Sequence, residues 1–251
     1  MHSGYNGGVD LPPIRQITAL HTLGVVNVRY PSICADLTRQ TQLRKLGVSA
    51  ISQKNSRRLL SAISGHHHLE SLSLGLAKDN HVVRWDGMYY PKNLRSLKLY
   101  GNVQMLPPQI KELHNLKKLS LEIISFTEED MQVLGKLEKL QTLRLFVMKF
   151  DNGELQFPIM PEDAERSALF PELMVLEIDC SSNLHICFPL RTVPNLELLK
   201  VCYRSGSPLK LSGLDHMICL KKVWLNGPSD VVLFDSVRQQ LDRNPKKPVF
   251  E

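Results

Sequence analysis

Several hallmarks of membrane-bound and secreted proteins are missing from this 251-residue sequence. No apolar run approaches the roughly 20 residues that a helix needs to cross a bilayer. Residues 1–13 are polar and rich in glycine, and they lack the apolar stretch of a secretory signal. We therefore expect a cytoplasmic protein, with the nucleus as a second compartment, and no membrane partner.

Signs of a disulfide-bonded or glycosylated surface are missing as well. The five cysteines are odd in number and never form a Cys-x-x-Cys pair, and none of the twelve asparagines begins an Asn-x-Ser/Thr sequon. An extracellular repeat protein usually has both disulfide bonds and N-glycosylation sequons. We therefore expect reduced thiols in mostly apolar surroundings, at Cys34, Cys180, Cys187, Cys202 and Cys219.

The sequence also lacks the motifs that carry catalysis or bind a cofactor. It has no Gly-x-x-x-x-Gly-Lys-Ser/Thr loop, no Gly-x-Ser-x-Gly elbow and no His-Glu-x-x-His pair. His66, His67 and His68 are adjacent on one turn and cannot all converge on a single metal ion. We predict that the chain is not an enzyme and holds no cofactor or metal.

Dense basic runs are absent too, although the formal net charge is +6. The strongest local cluster is only Lys246-Lys247, and we interpret the excess as solvated surface lysines. We expect no nucleic-acid partner. A nucleic-acid-binding scaffold is the alternative, and it would predict binding that weakens steeply with salt.

What the sequence does contain is one pattern, apolar-x-x-apolar-x-apolar, which occurs nine times. The copies begin at Leu20, Leu43, Leu69, Leu94, Leu116, Leu140, Leu173, Leu196 and Leu220. Their spacings are 23, 26, 25, 22, 24, 33, 23 and 24 residues. All but one lie in the window of about 20 to 29 residues that is typical of leucine-rich repeats. The pattern predicts an α/β fold, a leucine-rich-repeat solenoid of about nine repeats with a curved parallel β-sheet.

The segments between the strands should return along the convex side as irregular helical or extended pieces. Helical spacing predicts a helix within 53–63, and the segment 127–130 resembles a capping box that opens another. Pro107-Pro108 favours an extended or single-turn return. We interpret the long spacing of the sixth repeat, which includes the acidic stretch 161–166, as an enlarged loop or a short extra helix.

We expect one leucine-rich-repeat domain over 1–251. At its C-terminal end an amphipathic helix is predicted over 230–243, so that 229–251 forms a capping helix and tail. At the other end we interpret 11–17 as a weaker, incomplete repeat, and we expect the chain to have a natural N-terminal neighbour.

Strand residues beside the core leucines should face the concave surface and form two columns across it. In the first repeat we assign Val25 to the core and Val26 to a column. Small residues fill the columns in the first three repeats, whereas charged and aromatic residues begin at the fourth. Since aromatic and arginine side chains dominate binding hot spots, we predict a partner-binding face. Its candidate residues are Lys98, Tyr100, Glu122, Arg144, Phe146, Glu177, Asp179, Lys200 and Trp224. The alternative is that these strands display the ordinary mixture of side chains, half-covered by their neighbours.

Two stretches go beyond a generic repeat. Residues 106–119 read LPPQIKELHNLKKL, and 20–26 with 43–48 read LHTLGVV and LRKLGV. Both resemble the repeat domain of plant coiled-coil nucleotide-binding leucine-rich-repeat disease-resistance proteins. The tail, a helix followed by residues 244–248, is similar to the ends of such proteins in grasses. The asparagine of a regular repeat is present only as Asn102, which fits the irregular intracellular class.

The resemblance implies that this chain is a C-terminal fragment of a larger intracellular receptor. It implies a domain that senses a pathogen effector or a guarded host protein and restrains the receptor's nucleotide-binding module, which would bind ADP or ATP outside this chain. The alternative is the substrate-recognition repeat domain of an F-box ubiquitin ligase. An upstream nucleotide-binding module would favour the first function, and an upstream F-box the second.

Overall fold

The computed structural model describes residues 19–77, 83, 89–157, 169–204 and 206–251. The incomplete repeat expected over 11–17, the acidic stretch 161–166 and the side chain of Asn102 lie outside this description. The strands are β1 (Thr22–Asn27), β2 (Lys45–Ile51), β3 (Ser71–Leu76), β4 (Ser96–Val103), β5 (Lys118–Phe126), β6 (Thr142–Phe150), β7 (Glu154–Gln156), β8 (Val175–Cys180), β9 (Leu184–Cys187), β10 (Leu198–Tyr203), β11 (Leu209–Ser212), β12 (Lys222–Asn226) and β13 (Val249–Phe250). The α-helices are α1 (Pro31–Arg39), α2 (Ser56–Ile63), α3 (Glu128–Gly135) and α4 (Val231–Arg243), and 3-10 helices cover Pro108–Glu112 and Asp151–Gly153.

The chain folds into two compact units, Met1–Leu116 and Lys117–Glu251. In the N-terminal unit, β1 to β4 pair in chain order as parallel strands. Their register places Leu46 beside Leu72, and Leu72 beside Leu97, and all three side chains are buried. Each strand therefore covers the leucines of the strand before it, as nearest-neighbour stacking requires.

The first strand departs from the expected spacing. β1 is bulged between Leu23 and Val25, so that Val26 lies beside Val48. Val26 is fully buried, whereas Val25 is partly exposed. The assignment of Val25 to the core and Val26 to a column is therefore wrong, because one extra residue in a strand reverses the face of every residue after it.

Two helices, α1 and α2, pack against each other in the returns of this unit. The second lies within the range 53–63 where the sequence predicts a helix. The first was not predicted, although it carries a recognisable signal. Pro31 stands at its first position, and Ile33, Cys34 and Leu37 form its buried stripe.

In the C-terminal unit, β5, β6, β8, β10, β12 and β13 pair in this order, and all the pairs are parallel. The register aligns one buried apolar residue from each of five repeats, Leu119, Leu143, Leu176, Leu199 and Val223. Every predicted copy of the pattern, in both units, therefore coincides with a parallel strand. The leucine-rich-repeat α/β fold is confirmed.

The returns of the C-terminal unit form a second, smaller parallel sheet in the order β11, β9, β7. The side chains of Leu155, Ile186 and Leu211 lie in register and are buried beneath it. Beside them the Phe157 and Phe188 rings stack with centroids 5.1 Å apart. The described part of the long sixth repeat is thus a 3-10 turn and the strand β7, where we expected an enlarged loop or a helix.

Two helical segments begin where the sequence predicts them to begin. At α3 the hydroxyl of Thr127 accepts a hydrogen bond from the backbone N–H of Asp130 (3.2 Å), and the Asp130 carboxylate accepts one from the backbone N–H of Thr127 (2.9 Å). This is the predicted capping box with Asp in the usual Glu position. Pro107-Pro108 likewise leads into a single turn, the 3-10 helix Pro108–Glu112.

The helix predicted over 230–243 is present as α4. Asp230 caps its start by accepting a hydrogen bond from the backbone N–H of Leu233 (3.0 Å). Asn244 follows its end, and its buried amide donates to the carbonyls of Leu214 and Met217 at 2.7 and 3.0 Å. These bonds stabilise the junction between α4 and the last repeats.

Among the described residues, no helix is long and apolar enough to span a membrane.

Candidate protein-binding face

In the C-terminal unit, we call the sheet formed by β5, β6, β8, β10, β12 and β13 the main sheet. Its outer face carries two columns of side chains, because alternate residues of a strand point to the same side. The first column is Ser120, Arg144, Glu177, Lys200 and Trp224. The second column is Glu122, Phe146, Asp179, Cys202 and Asn226. We call these ten residues the column face. Their register is the one that the repeat alignment predicts, and it unites seven of the nine candidate residues in one unit.

An ion pair joins two neighbouring members of the first column. The Nε atom of Arg144 lies 3.0 Å from Oε2 of Glu177. The side chains are 42% and 22% exposed, respectively, so the pair itself adds little to stability. The contact is an ion pair without hydrogen-bond geometry, since Nε of Arg144 is buried and has no hydrogen-bond partner. The other N–H groups of the guanidinium group are donors that a ligand could use.

A cation–π contact follows further along the same column. The Nζ atom of Lys200 lies 4.1 Å from the centroid of the Trp224 ring. Lys200 is in register with Glu177 on one side and with Trp224 on the other. The first column therefore presents alternating charge that ends on a large aromatic ring, and every member from Arg144 to Trp224 is partly exposed.

Cys202 is the fourth of the five residues of the second column, in register with Asp179 and Asn226. Burial raises the pKa of its thiol, and the negative charge of Asp179 raises that pKa further, while Lys200 opposes the rise. A raised pKa keeps the thiol protonated at neutral pH, and a protonated thiol is a poor nucleophile. The Cys202 thiol is therefore not activated for covalent chemistry.

All five cysteines are free thiols, but their burial differs from the expectation. Cys34 and Cys180 are buried, as core thiols should be. Cys187, Cys202 and Cys219 are partly exposed, because each lies on or beside an outward-facing strand position or a turn.

The other two candidates, Lys98 and Tyr100, lie on β4 of the N-terminal unit and are partly exposed. Their register partners on β3 are Ser73 and Gly75. For one of the small residues of the early strands, Gly47, the structure gives a steric reason. A Cβ atom on Gly47 would lie 2.8 Å from the carbonyl oxygen of Gly24, so a side chain there would force the backbone at the β1 bulge to shift.

Of the three adjacent histidines, His66 is buried, while His67 and His68 are exposed. The Nε2 atom of His66 lies 3.0 Å from the carbonyl oxygen of Leu37 and links the end of α2 to α1. Burial lowers the pKa of His66, so the ring is neutral at pH 7. No group of three or more His, Cys, Asp or Glu side chains in the described part of the chain is placed to hold a metal ion.

The second sheet holds a polar cluster that the sequence did not predict. The Nε2 atom of His185 lies 3.3 Å from the Ser212 hydroxyl, and its Nδ1 atom lies 3.9 Å from the Glu154 carboxylate. The Nδ1 separation exceeds hydrogen-bonding distance, and both His185 and Glu154 are about 40% exposed on an open strand face. The cluster is thus a surface network. Alternation in 154–157, 184–188 and 209–212 is the signal that could have identified these strands.

The geometry defines a repeat protein whose sheet exposes a continuous, chemically mixed face. A family model described as a leucine-rich repeat region matches residues 4–248, and the chain belongs to this family. Domains of this architecture generally present their extended surfaces to other proteins.

One curated relative is informative. Over 177 residues, or 66% of this chain, the sequence is 27% identical to "Disease resistance protein RPP8" of Arabidopsis thaliana. The match spans 19% of the length of that relative, so the chain corresponds to about a fifth of it.

Proposed function

We propose that this chain is the recognition domain of a plant intracellular immune receptor, and that its column face binds a pathogen effector or a host protein that the effector modifies. The domain would also restrain the nucleotide-binding module of the parent receptor until the partner binds. ADP or ATP would be bound by that module, outside this chain, and the receptor would act in the cytoplasm.

The observation that carries this proposal is the arrangement of Arg144, Glu177, Lys200 and Trp224 on four consecutive strands of the main sheet. Arginine and tryptophan are enriched in binding hot spots, where a few side chains supply most of the affinity. Here Arg144 lies against Glu177 and Trp224 lies against Lys200, so both side chains have a neighbour in the column before any partner arrives. Preorganisation of this kind lowers the entropic cost of association.

The immune role is supported by the similarity to a disease resistance protein and by the LPPQIKELHNLKKL stretch at 106–119. The irregular returns support it too, since they combine helices, a 3-10 turn and a second sheet. The likeness of the tail to grass receptors remains a prediction. The F-box ubiquitin ligase remains the alternative, and an F-box in the parent protein would decide for it.

The test uses the parent receptor expressed in leaf tissue together with candidate effectors, with cell death as the readout. The variant Arg144→Ala/Trp224→Ala should abolish the response to the effector, while the chain keeps its circular dichroism spectrum. A matched control, Gln156→Ala/Lys210→Ala, changes two exposed residues of the second sheet and should respond normally.

Two outcomes would count against the proposal. One is an unchanged response of the Arg144→Ala/Trp224→Ala receptor, and the other is an equal loss in the control. Restraint is measured separately, by titrating the purified chain with the isolated nucleotide-binding module. Failure of the two to associate would remove the restraining role and leave partner recognition standing.

A further inference from the structure

Charge is divided unevenly between the two units. Residues 1–116 contain fourteen Lys and Arg against six Asp and Glu, whereas 117–251 contain seventeen against nineteen. The entire positive excess of the chain therefore belongs to the N-terminal unit. The positive residues look evenly spread along the sequence, because it is the acidic residues that change in frequency at the boundary between the units.

The cations of the two units also differ in their pairing. In the C-terminal unit, Arg144, Lys221 and Lys222 lie within 3.0 Å of carboxylate oxygens. In the described part of the N-terminal unit, none of the eleven Lys and Arg residues forms an ion pair with another described residue.

Five of these cations lie on or beside the two helices of the N-terminal unit, and all five are exposed. We call them the basic face: Arg29, Arg39, Lys54, Arg57 and Arg58. Asp36 is the one carboxylate within α1 and α2. Arg58 lies at the junction of the helices, since its charge acts on the Cys34 thiol of α1 and opposes the rise of the thiol pKa caused by burial.

Three small side chains on the same helices are also exposed. They are Ala35 and Thr38 on α1, and Ser61 on α2. Small side chains allow another surface to approach the helix backbones closely. The guanidinium groups at its edges would then reach carboxylates in the two-pronged geometry that arginine favours.

We propose that the basic face binds an acidic surface of a partner protein, at a site separate from the column face.

Surfaces for single-stranded nucleic acids combine cations with several stacking aromatic rings. Among the described residues of α1, α2 and the short segments next to them, Tyr30 is the one exposed aromatic side chain. Membrane-bound helices insert an apolar side into the lipid, but the apolar sides of α1 and α2 are buried in the protein core. An acidic protein surface is the partner that these observations favour.

The test is a titration of the full chain with fluorescent poly-L-glutamate at low salt, as a model of an acidic protein segment. The variant Arg39→Gln/Arg57→Gln/Arg58→Gln should bind about ten-fold more weakly, because three charge-assisted contacts are lost. Added salt should weaken binding of the parental chain, and it should weaken binding of the variant less.

The matched control is Arg44→Gln/Lys45→Gln/Arg95→Gln, which removes three exposed charges from the same unit at the starts of β2 and β4. It should bind poly-L-glutamate nearly as well as the parental chain. An equal loss in this control would overturn the proposal, since net charge and not the basic face would then determine binding. Arg57→Gln and Arg58→Gln are also measured singly, and each should weaken binding if the triple variant is too unstable to study.

Two further probes separate the classes of partner. They are single-stranded DNA of equal charge and vesicles of phosphatidylserine and phosphatidylcholine. Tighter binding of either probe than of poly-L-glutamate, with the same dependence on the three arginines, would overturn the assignment to an acidic protein. Weaker binding of both would support it.

Discussion

The ammonium group of Lys200 lies 4.1 Å from the centroid of the Trp224 ring, and the two side chains face each other in register on neighbouring strands. A contact of this kind contributes about 0.5 to 1 kcal/mol at an exposed site. It also holds the indole in one orientation before a partner arrives. The pair is where we expect partner binding to be most sensitive to substitution.

Truncation of Trp224 should separate binding from folding. We expect Trp224→Ala to weaken binding of a genuine partner by about 2 kcal/mol or more, measured by calorimetric titration, because a preorganised aromatic ring is lost. The melting temperature should hardly change, since Trp224 is partly exposed on the outer face of the sheet. Lys200→Met, which keeps the stem and removes the charge, should have a smaller effect. Unchanged affinity of Trp224→Ala would place the partner elsewhere.

Truncation of a central leucine should destabilise the stack. Leu119 is buried between β5 and its neighbours. We expect Leu119→Ala to lower the free energy of unfolding by about 2 to 5 kcal/mol, from lost burial together with the cavity left behind. Urea denaturation followed by circular dichroism measures this. The adjacent exposed residue is the control, and Lys118→Ala should stay within about 0.5 kcal/mol of the parental chain.

Because of the bulge in β1, we expect Gly47 to be sensitive to substitution. A Cβ atom on Gly47 would lie 2.8 Å from the Gly24 carbonyl oxygen, whereas one on Gly65 would meet nothing within 4 Å. Gly47→Ala should therefore destabilise the chain by about 1 to 3 kcal/mol through forced backbone movement. Gly65→Ala should not. Equal melting temperatures of the two variants would show that the bulge yields to a methyl group without strain.

His66 should make stability depend on pH. Because burial lowers its pKa in the folded chain, the unfolded chain takes up the proton first as the pH falls. The stabilisation that His66 provides is thus complete above its unfolded pKa of about 6.5, and it is lost as the pH falls through the lower folded value. His66→Gln should show a smaller fall of the urea midpoint between neutral and mildly acidic pH. His67→Gln, at an exposed neighbour, should match the parental chain, and the idea fails if its profile changes as much as that of His66→Gln.

Much of the fold could be predicted because its signals are local. The nine leucine patterns predict strands, and all nine coincide with parallel strands. The capping box at Thr127 and the helix α4 were predictable for the same reason, since caps and amphipathic stripes lie within one short segment. The register of the column face followed from aligning the repeats, because parallel strands of equal spacing repeat the same alternation.

Other features depended on contacts that no short segment contains. The second sheet forms because β7, β9 and β11 are brought together from returns of different repeats. Each strand alone is only three or four residues long and gives a weak signal. The same holds for β13, which adds to the main sheet through its pairing with β12.

By itself, the sequence determined the leucine-rich-repeat architecture and the order of side chains along the column face, since both follow from the spacing of apolar residues. Only the tertiary structure decided which valine of β1 is buried, and that Lys200 covers the ring of Trp224. It also revealed that the described cations of the N-terminal unit form no ion pair with another described residue, whereas Arg144, Lys221 and Lys222 of the C-terminal unit do. These features depend on contacts between neighbouring repeats. A bulge of one residue reverses which side of the sheet the following side chains face, and a side chain on the next strand fixes the rotamer of the one it packs against.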